Sequence, residues 1–181
     1  KFPGRDLVDR RCGLHVHIDC NDITRRKMIK VFKAFARLEP LTHMLIPPSR
    51  RDNSYTRPIH QDVLSRSRYN RRDQEDDMFD DYECGPFLVD HAAAVNIGRW
   101  YNRGDMEIRY GAGSCNRQKV TNWVCYLSGV VNRTLEVGPP TSDIRTLEEF
   151  VAWAGLTEPS EFDQAILDWL RSRYGMMATH N

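Results

Sequence analysis

The sequence contains neither an apolar run of the roughly 20 residues that cross a bilayer nor a signal-peptide pattern at its start. Its five cysteines are an odd number without a C-x-x-C pair, so they fit neither a disulfide framework nor a zinc knuckle. The formal net charge is only +1, which provides no overall field for nucleic acid or membranes. These absences predict a cytoplasmic protein without membrane contact and disfavour nucleic acid as a partner.

At 181 residues and 40% hydrophobic, the chain can bury a sizeable core, and we expect a single domain over residues 1–181. The stretch 65–83 places a basic run before an acidic run with few apolar positions, which predicts a mobile charged surface insertion. The chain opens with Lys1 rather than Met, so we expect a processed or truncated piece of a longer protein.

Residues 12–19 read CGLHVHID and alternate apolar with polar side chains. On a strand, whose side chains alternate between two faces, His15 and His17 then share the face opposite the core. Two imidazoles on one face can bind a divalent cation if a carboxylate approaches from elsewhere. A solvent-facing strand that happens to be rich in histidine is the alternative.

Residues 106–111 read MEIRYG and alternate in the same way, so Glu107 and Arg109 share the polar face of a second strand. A carboxylate beside a guanidinium suits a metal-bound phosphate, because the two groups bind the cation and the anion respectively. A simple ion pair is the alternative for these two residues. With both strands present, we predict a metal and phosphate site.

Helical periodicity accompanies these strands, and Pro40 is expected to end the first helix. A turn is predicted at 102–105, before the second strand. The predicted helices span about 22–39, 116–136, 147–154 and 160–174. The pattern predicts an α+β domain in which a mostly antiparallel sheet carries the two polar-faced strands and is backed by helices.

Five segments in this order resemble the amidoligase family, a branch of the glutamine synthetase and glutamate-cysteine ligase superfamily of carboxylate-amine ligases. They are CGLHVHID, PPSRRDNSY, HAAAVNI, MEIRYGAG and VTNWVCYL, and they cover about residues 8–135. The resemblance implies a curved antiparallel sheet of glutamine synthetase type that forms one wall of an ATP site. It also implies the reaction, in which ATP phosphorylates a carboxylate and an amine attacks the acyl phosphate to give an amide or peptide-like bond.

The same resemblance implies roles for individual residues. His15 and Glu107 would bind Mg²⁺ or Mn²⁺. Three side chains would contact the ATP: His17, which would lie beside its phosphates, Arg109 and Asn96. Arg109 and Arg50 would bind the phosphoryl or carboxylate groups during the reaction.

Members of the superfamily carry an earlier strand of G-x-E-x-E type that supplies two more metal carboxylates. Before Cys12 the only acidic residues are Asp6 and Asp9, in a segment that reads as a loop. Three alternatives follow: the strand lies outside this sequence, another chain supplies it in a homo- or hetero-oligomer, or the scaffold has lost catalysis and serves as a structural or assembly subunit.

A metal-dependent hydrolase built on the first strand is a further alternative. Such a site needs additional ligands at strand ends. The candidates are His43, His60 and His91, although their spacing does not favour them.

Overall fold

The computed structural model describes residues 8, 12–51, 53–59 and 92–178. The predicted insertion at 65–83 lies outside these residues, as do His60 and His91. The elements formed within them are, in order, β1 (Gly13–Asp19), α1 (Arg25–Leu45), a 3₁₀ turn (Pro48–Arg50), β2 (Val95–Asn96), α2 (Gly98–Arg103), β3 (Asp105–Ala112), α3 (Arg117–Val137), α4 (Leu147–Ala154) and α5 (Glu161–Ala178). This arrangement confirms the α+β class.

The three strands form an antiparallel sheet in the order β1-β3-β2, so β3 is the central strand. Val16, Ile108 and Val95 lie in register across the sheet, and all three are buried. Because side chains alternate along each strand, this apolar row leaves the other face of the sheet for polar residues. The predicted alternation of both strands is therefore confirmed.

Helix α1 covers the apolar face and passes through Pro40 rather than ending there. A proline inside a helix has no amide hydrogen to donate and disturbs the preceding turn. Here the backbone of Ile144 fills the gap: its amide donates to the carbonyl of Arg37, and its carbonyl accepts from the amide of Leu41. The prediction that Pro40 ends the helix was wrong because a distant segment replaces the lost helical hydrogen bonds.

The remaining helices pack beside α1, and their caps explain where they begin. The Asn116 side chain accepts from the Lys119 amide at the start of α3, and Thr146 and Glu149 form a reciprocal capping box on α4.

The segment predicted as a turn at 102–105 instead contains the end of α2, which stops at Gly104 with φ of 70°. Helix α5 runs to Ala178, four residues beyond the predicted end.

None of the helices in the described part of the chain is long and apolar enough to cross a membrane. Within the same residues, no disulfide joins any of the cysteines.

Candidate functional site

The register of the sheet brings the two predicted strands together on one face. His17 of β1 lies directly opposite Glu107 of β3, and Glu107 lies opposite Asn96 of β2. Directly opposed residues of an antiparallel pair point to the same side of the sheet. A row of imidazole, carboxylate and amide therefore crosses all three strands.

An irregularity in the pairing places His15 beside this row. The register shifts by one residue between Leu14 and Val16, so that Arg109 and Tyr110 of β3 together face His15 alone. Such bulges bend the strand and re-aim side chains, and they occur often beside active sites. The sequence pattern does not reveal this shift.

Glu107 is the centre of the polar face and is only 5% exposed. Its Oε1 atom lies 2.9 Å from Nδ1 of His15 and 3.7 Å from Nε2 of His17. The Nε atom of Arg109 lies 3.3 Å from the same oxygen, at ion-pair distance but not aligned for a hydrogen bond. Four of the residues predicted for the site thus meet around one carboxylate oxygen.

Asn96 is buried next to Glu107, and its side-chain oxygen accepts a hydrogen bond from the amide of Gly98. This bond fixes the start of α2. The asparagine therefore has a structural role here, and a contact with ATP stays a prediction.

Arg50 reaches the same face from the 3₁₀ turn and is 5% exposed. It donates from Nη2 to the carbonyl of Gly111 at 3.0 Å, whereas its buried Nε has no hydrogen-bond partner. A Cβ atom on Gly13 would lie 2.1 Å from Nη2, so the guanidinium occupies the space that this glycine leaves. Burial and the neighbouring charge of Arg109 lower the pKa of Arg50. A buried guanidinium with an unpaired donor is suited to an anion.

Burial and the charge of Arg109 also lower the pKa of His15, although Glu107 opposes the shift. The shift favours the neutral imidazole, in which one ring nitrogen keeps a lone pair. Neutral imidazole is the form that binds metal ions.

The sequence analysis missed Asp105, the first residue of β3. Its Oδ2 atom lies 2.6 Å from Nδ1 of His17, and Nε of Arg99 lies within 3.3 Å of both carboxylate oxygens. Although burial opposes the shift, the hydrogen bonds from His17 and Arg99 lower the pKa of Asp105. Extending the alternation of Glu107 and Arg109 by two residues would have identified this position.

Among the described residues, no group of three or more His, Cys, Asp or Glu is arranged to hold a metal ion. The 2.9 Å between His15 Nδ1 and Glu107 Oε1 is the length of a hydrogen bond. Neighbouring donors on an octahedral ion bound at about 2.1 Å are also about 3 Å apart, so a divalent cation could replace the hydrogen between these two groups. The residue types and their spacing are therefore compatible with part of a cation site.

The fold and the polar face define a class: an α+β protein whose antiparallel sheet places a buried carboxylate beside imidazoles, a partly exposed guanidinium and a buried guanidinium. Residues 4–131 match a family model described as "Putative amidoligase enzyme". The match covers more than half of the chain, so the protein belongs to this amidoligase family. It contains β1, α1, β2 and β3, together with most of α3. No curated protein and no solved structure matches the chain.

Proposed function

We propose that this protein is an ATP-dependent carboxylate-amine ligase, which forms an amide or peptide-like bond through an acyl phosphate. The observation that carries the proposal is the meeting of His15, Glu107 and Arg109 beside the buried Arg50, in a chain of the amidoligase family. Cation-binding and anion-binding groups adjoin on one face, as a metal-nucleotide complex requires.

The proposed division of labour follows from the chemistry of the side chains. His15 and Glu107 would hold Mg²⁺ or Mn²⁺, which supplies charge neutralisation at the phosphates when bound. Arg109 and Arg50 bind the phosphoryl or carboxylate oxygens, and Arg50 can do so because its Nε is unpaired. His17 and Asn96 lie in the row beside Glu107, and they would line the position of the nucleotide.

The chain itself excludes water from the charged groups of the site and fixes the distances between them. Glu107 and Arg50 are almost fully buried, so their charges act in surroundings of low dielectric and need little reorganisation during phosphoryl transfer. Gly13 allows the guanidinium of Arg50 to lie directly on β1. The substrates are a carboxylate and an amine. Further oxygen ligands would complete the coordination of the cation.

A cytoplasmic location is part of the proposal. It is supported by the cysteines of the described residues, which form no disulfide with one another.

Calorimetric titration of ATP into the chain, with and without Mg²⁺, tests the function. Glu107→Gln should abolish the effect of Mg²⁺ on the affinity, because the cation loses a charged ligand. Arg109→Gln should lower the affinity by about 10- to 100-fold under both conditions, because a charge-assisted contact to the phosphates is lost.

Matched controls are Glu148→Gln and Arg171→Gln, which change the same residue types at exposed positions on α4 and α5. Both should bind like the unchanged protein. Absence of ATP binding in every sample would overturn the proposal and favour a structural subunit. Tight zinc binding without any nucleotide effect would favour a hydrolase.

A further inference from the structure

Two imidazoles face Glu107, but only one of them has a carboxylate of its own. Nδ1 of His15 is directed at Glu107 itself, whereas Nδ1 of His17 lies 2.6 Å from Oδ2 of Asp105. The opposite ring nitrogen of His17, Nε2, is the one on the side of Glu107, at 3.7 Å. The ring of His17 thus joins Asp105 to the centre of the site.

Asp105 is held in place from two directions. Arg99 contacts both of its carboxylate oxygens, at 3.1 and 3.3 Å. The turn before it is fixed to the end of β1, because the amide of Cys20 donates to the carbonyl of Gly104 and the indole of Trp100 donates to the carbonyl of Cys20. The guanidinium also keeps the carboxylate ionised, so Asp105 can only accept a hydrogen bond.

We infer that Asp105, supported by Arg99, is a positioning residue that fixes His17 as the tautomer protonated on Nδ1 and presents an unprotonated Nε2 to the site. An ionised carboxylate at 2.6 Å requires a hydrogen on Nδ1. In the neutral ring the other nitrogen then carries the lone pair. Carboxylate-imidazole pairs fix histidine ligands and bases in this way in many proteins.

This arrangement changes what His17 can bind. A lone pair on Nε2 accepts a hydrogen bond or binds a cation, but it does not donate to a phosphate oxygen. Within the proposed function, on which this consequence rests, phosphate recognition falls to Arg109 and Arg50. Nε2 of His17 would instead contact a cation or a hydrogen-bond donor of the ligand. The tautomer itself does not depend on the proposed function.

The experiment is two-dimensional ¹⁵N–¹H NMR of the histidine rings in the full chain at about pH 8.5, where an unperturbed imidazole is neutral. His17→Gln assigns the signals. In the unchanged protein we expect Nδ1 of His17 in the protonated range and Nε2 in the unprotonated range. A ring protonated on Nε2, alone or together with Nδ1, would overturn the inference.

Asp105→Asn should shift the population of His17 toward the tautomer protonated on Nε2, and Arg99→Gln should do so to a smaller extent. Asp19→Asn is the matched control, since Asp19 lies directly opposite Asp105 in the sheet and bonds to Asn21. It should leave the tautomer unchanged. A purely structural role for Asp105 predicts the same His17 spectrum in Asp105→Asn, and that result would overturn the inference.

Titration with inorganic phosphate provides a second test. Arg109→Gln should weaken phosphate binding by at least about tenfold, because a charge-assisted contact is lost, whereas His17→Gln should weaken it by less. Loss of phosphate binding in His17→Gln would overturn the inference. If the unchanged protein does not bind phosphate, the proposed function loses support, while the ring spectra still decide the tautomer.

Discussion

The two faces of the sheet each bury a glutamate, and the closest partners of the two carboxylates differ. On the core side, Glu39 of α1 is 1% exposed and accepts hydrogen bonds from the Ile59 amide and the Tyr110 hydroxyl, while Nε2 of His43 lies farther away, at 4.0 Å. On the polar side, Glu107 is 5% exposed and contacts partly exposed ionisable side chains. Burial alone therefore does not mark a functional carboxylate.

The two carboxylates differ in whether their present partners could be replaced by a ligand from solvent. A backbone amide and a buried phenol stay where they are, because nothing from solvent reaches them. Burial and the charge of Glu39 raise the pKa of Tyr110 well above its usual value, so the phenol remains a donor. In the proposed site the partners of Glu107 would turn toward a cation or an anion, whereas the core face would remain a fixed support.

The largest effect is expected for Glu39→Ala. The substitution leaves the Ile59 amide and the Tyr110 hydroxyl without their acceptor and opens a cavity, so the free energy of unfolding should fall by about 3–5 kcal/mol. Urea denaturation measures the change, with Glu148→Ala on the exposed face of α4 as the control. A loss under about 1 kcal/mol would contradict the structural role of Glu39.

Gly13→Ala should have the next largest effect, this time on the polar face. The new Cβ would overlap the guanidinium of Arg50, so Arg50 must move, at a cost of about 1–3 kcal/mol in unfolding free energy. Binding of inorganic phosphate should weaken as well. Gly129→Ala on α3 is the matched control, because its Cβ meets no atom within 4 Å; it should stabilise the helix by about 0.5–1 kcal/mol. Equal changes in unfolding free energy in the two variants would contradict the close approach of the Arg50 guanidinium to Gly13.

Tyr110→Phe removes one of the donors to Glu39 while leaving the ring in the core. We expect the free energy of unfolding to fall by about 1–2 kcal/mol, because the buried carboxylate loses a hydrogen bond. ATP and phosphate binding should not change, although Tyr110 is adjacent to Arg109 in β3. Tyr55→Phe, at a position that is 71% exposed, is the stability control. Weaker ligand binding in Tyr110→Phe would show that the two faces are coupled.

Much of this organisation could be predicted from local patterns. Alternation in β1 and β3 identified His15, His17, Glu107 and Arg109, because a strand with one buried face must place every second side chain on the other. Helix α4 was predicted within its observed limits, since its capping residues and apolar stripe are contiguous in the sequence. These features depend only on neighbours along the chain.

What could not be predicted depends on contacts between distant segments. Helix α1 continues through Pro40 because the backbone of Ile144 bonds to it, and no residue near Pro40 in the sequence predicts this contact. The burial of Glu39 depends on Ile59 and Tyr110, far from it in the sequence. The link between His17 and Asp105 depends on the register of β1 against β3. Register and packing against remote backbone are set by the whole fold.

The smallest change in stability is expected for Glu107→Gln, and this contrast with Glu39 tests the comparison most sharply. The amide keeps an oxygen that can accept from His15 and Arg109, and the cost of burying a charge disappears. Because Arg109 Nε is not hydrogen-bonded to Glu107 and His15 is partly exposed, the free energy of unfolding should change by about 1 kcal/mol or less, even though the effect of Mg²⁺ on ATP affinity should be lost.

Urea denaturation of Glu107→Gln beside Glu39→Gln measures the contrast. Glu39→Gln should cost more, because a neutral amide oxygen is a weaker acceptor than a carboxylate for the Tyr110 hydroxyl and the Ile59 amide. Comparable losses in the two variants would mean that Glu107 supports the fold as much as Glu39 does. A small loss at Glu107 together with a lost Mg²⁺ effect would instead show that the surroundings of this carboxylate are arranged for a ligand, because its burial beside Arg109 would then serve cation binding rather than stability.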